Sequence, residues 1–193
     1  MQQLSLFKEK ETPLIPGLQY IPDYISNNQE KQLIDIIDAQ EWLTDLKRRV
    51  QHYGYKYDYT ARSINSGHYI GAIPDWLSPL CQKLLEDKLF ISLPDQVIIN
   101  EYLPGQGISL HIDCIPCFAE VICSLSLLSS CVMEFIEKEK VSILLEPRSL
   151  VILSDQARYH WKHGIAARKV DIYDGNKIMR QRRISITFRT IIK

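Results

Sequence analysis

Residues 121–153 read VICSLSLLSSCVMEFIEKEKVSILLEPRSLVIL. Four short β-prone runs lie within this stretch, at 121–128, 132–136, 141–145 and 150–153. Ser129-Ser130, a run of alternating Glu and Lys, and Glu146-Pro147-Arg148-Ser149 separate them. Runs this short and this rich in Val, Ile and Leu suit strands, whereas a helix needs a longer period of apolar residues. Val97-Ile98-Ile99 upstream and 184–192 downstream extend the series. A repeat of roughly 8–15 residues broken by turn formers is the signature of a sandwich or barrel.

Outward from this β-rich half the texture changes. Ser26-Asn27-Asn28-Gln29 can form a capping box, and Leu33, Ile36 and Ile37 follow on one helical face, so a helix is predicted over 27–39. Residues 75–86 carry Leu77, Leu80, Cys81, Leu84 and Leu85, the pattern of a second amphipathic helix. Between them, 53–69 is rich in Tyr, Thr, Ile and Gly without helical period, and reads as strands and loops. Residues 1–12 read as a mobile tail. The predicted organisation is therefore that tail and one domain over 13–193, with helices and a lid in 13–95 and the β core in 96–193.

The chain of 193 residues is long enough to bury a sizeable core. It has no run of about 18 apolar residues and no basic start followed by an apolar stretch. A membrane span is thus not expected, and a cytoplasmic location is. Five cysteines are present, four of them between Cys114 and Cys131. Cys114-x-x-Cys117 invites a redox or zinc reading, but no second such pair completes a four-ligand zinc site, so reduced, buried thiols are expected. The formal net charge is zero but unevenly spread: residues 156–193 hold ten Lys or Arg against two Asp. Phosphate contact needs a local basic surface rather than a basic total, so nucleic acid is compatible with this balance.

His111-Ile112-Asp113 places an imidazole and a carboxylate two residues apart, on one face if the segment is a strand. His163 follows 50 residues after Asp113. Two imidazoles and one carboxylate form a facial triad that holds Fe(II) and leaves three positions open, two for 2-oxoglutarate and one for O2. His160 competes for the third place. If 159–165 is a strand, Tyr159, Trp161, His163 and Ile165 face inward and Arg158, His160 and Lys162 outward, which selects His163.

Three ordered blocks carry a family resemblance. Asn100-Glu-Tyr102-Leu-Pro-Gly105 leading to His111-Ile-Asp113, then Arg158-Tyr-His-Trp161-Lys-His163-Gly-Ile165, then Arg183-Ile-Ser-Ile-Thr-Phe-Arg189 resemble the motifs of AlkB-type dioxygenases. The resemblance implies an α+β architecture with a double-stranded β-helix (jelly-roll) core, flanking N-terminal helices and a nucleotide-recognition lid. It implies that His111, Asp113 and His163 bind Fe(II) and carry catalysis. Asn100 and Tyr102 would bind 2-oxoglutarate, Arg183 would clamp its far carboxylate, and Arg189 would lie beside it. Alternation along 183–189 puts Arg183, Ser185, Thr187 and Arg189 on one strand face, and a face with two arginines needs anionic company. The implied reaction consumes O2, converts 2-oxoglutarate to succinate and CO2, and hydroxylates a carbon on a nucleic-acid base. If that carbon is on nitrogen, the product collapses to formaldehyde and a restored base.

Two departures from the repair enzymes of this family stand out. Ile115 occupies a position where some carry a second acid, and Ser185 stands where the bacterial repair enzyme has Asn. The segment 46–55, LKRRVQHYGY, is similar to the subgroup that hydroxylates wobble-uridine side chains in tRNA. The basic-aromatic segment 47–59 is a candidate lid: Arg48 and Arg49 could meet phosphate and tyrosines such as Tyr53 and Tyr55 could stack on bases, or the segment could be a β-hairpin whose tyrosines pack on the core. At the N-terminus, Gln3, Leu4, Leu6 and Phe7 match the peptide with which bacterial repair proteins bind the sliding clamp. Oxidative dealkylation in DNA repair is the first expectation. Hydroxylation of a modified tRNA base is the alternative, and a non-catalytic nucleic-acid or clamp-binding module is a third reading.

Overall fold

A computed structural model describes residues 15–44, 46–61, 63–64 and 66–192. The clamp-like peptide at 3–7 lies outside them. The predicted helices are present as α1 (Asn27–Asp38) and α2 (Ser78–Glu86). Ser26 closes the capping box with Gln29, satisfying donors that the first helical turn leaves open. Residues 75–77 form a turn ahead of α2 instead of its first residues, with Pro79 in its opening turn, where a missing N–H costs nothing.

The strands are β1 (Leu18–Ile21), β2 (Val50–Tyr53), β3 (Gln96–Tyr102), β4 (Ile108–His111), β5 (Phe118–Leu127), β6 (Cys131–Ile136), β7 (Lys140–Leu145), β8 (Leu150–Leu153), β9 (Lys162–Ile165), β10 (Val170–Tyr173), β11 (Asn176–Met179) and β12 (Arg183–Ile191). They build a six-stranded sheet ordered β1-β8-β5-β12-β3-β2, a four-stranded sheet ordered β4-β9-β6-β7, and the hairpin β10-β11. All named pairings are antiparallel. This is the jelly-roll core expected from the sequence.

The large sheet is covered on both faces, which explains its nearly unbroken apolar runs. Ile184, Ile186 and Phe188 of β12, with Cys123, Leu125 and Leu127 of β5, pack in one cluster with Leu33 and Ile37 of α1 and Leu80 and Leu84 of α2. The opposite face supplies Ile122, Val151 and Leu153, which meet Phe135, Ile143 and Leu145 of the small sheet. A side-chain period of two assigns alternate residues of one strand to two different cores. Among the described residues no helix is long and apolar enough to cross a membrane.

Two expectations change here. Residues 159–165 are not one strand, because Asp155–Tyr159 forms the short helix α3 and β9 begins only at Lys162. Helical geometry turns Arg158 inward, to 1 % exposure, while His160 stays exposed and His163 is buried. The cysteines are not all reduced: Cys114 and Cys117 form a disulfide, and Cys81, Cys123 and Cys131 are free and buried. A tight turn, with Cys117 N–H donating to the Cys114 carbonyl, brings the two Cα atoms to 5.2 Å, within the span a disulfide bridges.

Candidate active site

The two sheets enclose a cavity of about 700 Å³ whose walls include His111, Asp113, His163, Asn100, Tyr102, Arg183 and Arg189. Every residue the sequence nominated for metal or co-substrate is therefore gathered around one space. His111 ends β4 and pairs in register with His163 of β9. Gly164 permits the close pairing, since a Cβ there would lie 2.9 Å from the Ile108 carbonyl oxygen and the Leu110 nitrogen. Asp113 lies past the end of β4, so strand alternation alone does not aim it. The ligand atoms of His111, Asp113 and His163 nevertheless all fall within 4.8 Å of one another.

Asp113 is aimed by arginines. Arg189 donates to Asp113 Oδ1 at 2.8 Å, while its guanidinium packs over the Phe118 ring. Arg158 reaches the backbone from behind, donating to the carbonyls of Asp113 at 2.9 Å, Cys114 at 3.2 Å and Phe118 at 3.2 Å. Burial pushes the Asp113 carboxyl upward, but Arg189 and then His163 more than reverse this, leaving it ionised well below the ordinary range. Burial, followed by the neighbouring His163, lowers the His111 imidazole and favours its neutral form. His111 Nδ1 lies 2.8 Å from the Ser109 carbonyl oxygen, which can only accept, so the proton is on Nδ1 and Nε2 is bare. A neutral imidazole at His111 and an ionised carboxylate at Asp113, with a second imidazole at His163, are donors a ferrous ion takes.

The co-substrate side fits as well. Arg183 is 3 % exposed and donates through Nη2 to Ser126 Oγ at 2.8 Å, while its Nε and Nη1 are buried with no partner among the described residues. Buried guanidinium donors without acceptors are costly, and the carboxylate of a bound diacid removes that cost. Arg183 lies 5.6 Å from the centre of the Tyr102 ring, so the tyrosine shares this end of the cavity. Asn100 accepts from Arg48 Nε at 2.8 Å through Oδ1, which leaves its Nδ2 as the donor.

The lid residues divide. Arg48 lines the cavity, packed against Tyr59 and Tyr102. Arg49 is bound to Glu101 through two hydrogen bonds of 2.6 and 2.7 Å and covers Trp42. Tyr53 packs edge-on against Trp76, and Tyr55 lines a separate groove of about 840 Å³ that contains none of the triad. Tyr57 and Tyr59, at the far end of the candidate lid segment 47–59, line the triad's cavity instead. Tyr53, Tyr55, Tyr57 and Tyr59 have the same parity, so alternation could not separate them. The chain leaves β2 at Tyr53 and bends at Gly54, whose φ is +77°, so strand alternation no longer applies beyond it: Tyr55 stays with the outer groove and Tyr57 and Tyr59 reach the cavity. Arg158 was visible as a motif residue, but its inward direction required the helix.

The model of the 2OG-Fe(II) oxygenase superfamily matches residues 38–189. The Arabidopsis thaliana protein named alkylated DNA repair protein ALKBH8 homolog is 37% identical over 92% of this chain, which spans 59% of that protein. The Mus musculus protein named tRNA (carboxymethyluridine(34)-5-O)-methyltransferase ALKBH8 is 38% identical over 82% of this chain, which spans 25% of it. The solved structure of OsALKBH1 superposes with a TM-score of 0.71 at 16% identity, covering 93% of this chain and 99% of that one. The chain belongs to the 2OG-Fe(II) oxygenase superfamily, as an AlkB-type dioxygenase that uses Fe(II), 2-oxoglutarate and O2.

Proposed function

We propose that this chain oxidises a carbon substituent on a nucleic-acid base, with a modified tRNA base as its first substrate. One observation carries the reading: a single cavity joins the His111–Asp113–His163 triad, the unpartnered donors of Arg183 and the aromatic pair Tyr57 and Tyr59. Arg183 grips the far carboxylate of 2-oxoglutarate, and Asn100 Nδ2 and the Tyr102 hydroxyl donate to it. Tyr57 and Tyr59, edge to face with centroids 5.1 Å apart, offer apolar surface to an extruded base. Bound iron supplies the O2 activation that couples loss of CO2 from 2-oxoglutarate to hydroxylation. The mouse relative is named for carboxymethyluridine in tRNA, which supports placing RNA ahead of the DNA dealkylation expected from sequence.

Dealkylation of DNA is the second reading, favoured by the name of the Arabidopsis relative. In this proposal residues 13–193 act as one domain. Gln3, Leu4, Leu6 and Phe7 would tether it to a sliding clamp, a role resting on sequence alone. A cytoplasmic setting accompanies both readings. Succinate formation and base oxidation should be measured with modified tRNA and with alkylated DNA, comparing the wild type with His111→Ala. Oxidation of neither polymer by wild type would overturn the proposal. Loss of residues 1–8 should abolish co-purification with a bacterial clamp, and unchanged capture would dismiss the tether.

A further inference from the structure

The cavity holds more positive charge than its known occupants neutralise. Lys47, Arg48, Arg183 and Arg189 line it, and Asp113 is the one carboxylate among its described lining residues. The doubly positive iron and the doubly negative 2-oxoglutarate cancel, so the excess remains after both bind. Arg189 is paired with Asp113, and Arg183 faces the co-substrate's far carboxylate. Arg48 is different. It is half-buried, its Nε is engaged by the neutral Asn100 amide, and no carboxylate among the described residues pairs with it. By contrast Arg49, Arg148, Arg168, Arg180 and Arg182 each pair with Asp or Glu.

Resting on the base-directed reading above, we propose that Arg48 forms an anion subsite that recognises an oxyanion of the target nucleotide. Its guanidinium lines the cavity 5.7 Å from the centre of the buried Tyr102 ring, which sets the depth of the group. An acidic group on the base fits that depth, and the nucleotide's phosphate is the other source of the same chemistry. A planar guanidinium with Nε held in place presents its remaining N–H groups in a fixed direction, as carboxylate or phosphate recognition requires. The same charge excess repels a base made cationic by ring-nitrogen methylation. Ile115, 48 % exposed where some relatives in the family carry an acid, does nothing to relieve that repulsion.

The test measures binding of short single-stranded RNAs whose target uridine carries a carboxymethyl group or its methyl ester, with Mn(II) and 2-oxoglutarate present and O2 excluded. A third probe carries the ester and a neutral methylphosphonate in place of the target's phosphate. The wild type should bind the acid about tenfold tighter than the ester, roughly 1.4 kcal/mol. Arg48→Gln should erase that ratio and Arg48→Lys should keep most of it. If acid and ester bind alike but the methylphosphonate weakens the wild type about tenfold and Arg48→Gln not at all, the subsite stands with phosphate as its ligand. Ratios that Arg48→Gln leaves intact would overturn the subsite and leave the base-directed reading in place. No binding to any probe, with 2-oxoglutarate still consumed in O2, would instead sink the base-directed reading, and the subsite with it.

Discussion

Replacing Arg158 with Met removes the guanidinium while keeping a side chain of similar reach. The wild-type group makes three hydrogen bonds of 2.9, 3.2 and 3.2 Å to carbonyls of the segment that carries Asp113. Charge-assisted bonds contribute about 1.5 kcal/mol each at the lower end, giving a gross loss of roughly 4.5 kcal/mol. The cation is nearly inaccessible and no carboxylate among the described residues forms an ion pair with it; burial lowers its proton affinity, and the charge of Asp113 only partly offsets this. Relief of that desolvation returns on the order of 1–2 kcal/mol, so the net loss is about 3 kcal/mol. For a chain of this length the melting temperature should fall by roughly 6–12 °C. Because the Asp113 carbonyl loses its anchor, Mn(II) affinity measured by electron paramagnetic resonance should weaken roughly 10- to 100-fold. Arg158→Lys, which keeps the charge but not the fork, should fall between. Unchanged Mn(II) affinity in a folded but destabilised Arg158→Met protein would show that Arg158 supports the fold and not the metal ligand.

Other outcomes follow from individual contacts. His111→Ala should abolish turnover while unfolding stays within about 1 kcal/mol of wild type in urea, since the ring is only half-buried and, among the described residues, its hydrogen bond is to the Ser109 carbonyl. Asp171 is fully buried. Burial pushes its carboxyl up, but Arg180, the Val132 N–H and Arg168 more than offset this and hold it below the ordinary value of 3.8. A depressed carboxyl stabilises the fold above its unfolded pKa, and that contribution is lost as pH falls through the folded value. Asp171→Asn should therefore lower stability by about 3 kcal/mol at neutral pH and flatten the acid limb of a pH–stability curve. Alkylation of the denatured, unreduced protein should label three thiols, Cys81, Cys123 and Cys131, with Cys114 and Cys117 added only after reduction. Labelling all five without reductant would show that Cys114 and Cys117 are not joined.

Periodicity and motif spacing were enough for the strand-rich core, α1 with its capping box, and the residues gathered around the cavity, because those features depend on local pattern and on side-chain types. The alternation along 183–189 placed Arg183, Ser185, Thr187 and Arg189 on one face, and all four line the cavity. What pattern could not supply was direction beyond a strand's end. Asp113 converges with two histidines because arginines from α3 and β12 hold it, contacts separated by 45 and 76 residues. Arg158 turned inward because five residues became a helix, and Tyr57 and Tyr59 replaced Tyr53 and Tyr55 at the cavity because the chain bends at Gly54. The sequence by itself determined which chemistry is available, since ligand type and strand period are local properties. Tertiary structure alone decided which charges are left unmatched, because pairing depends on the partners that folding brings within reach.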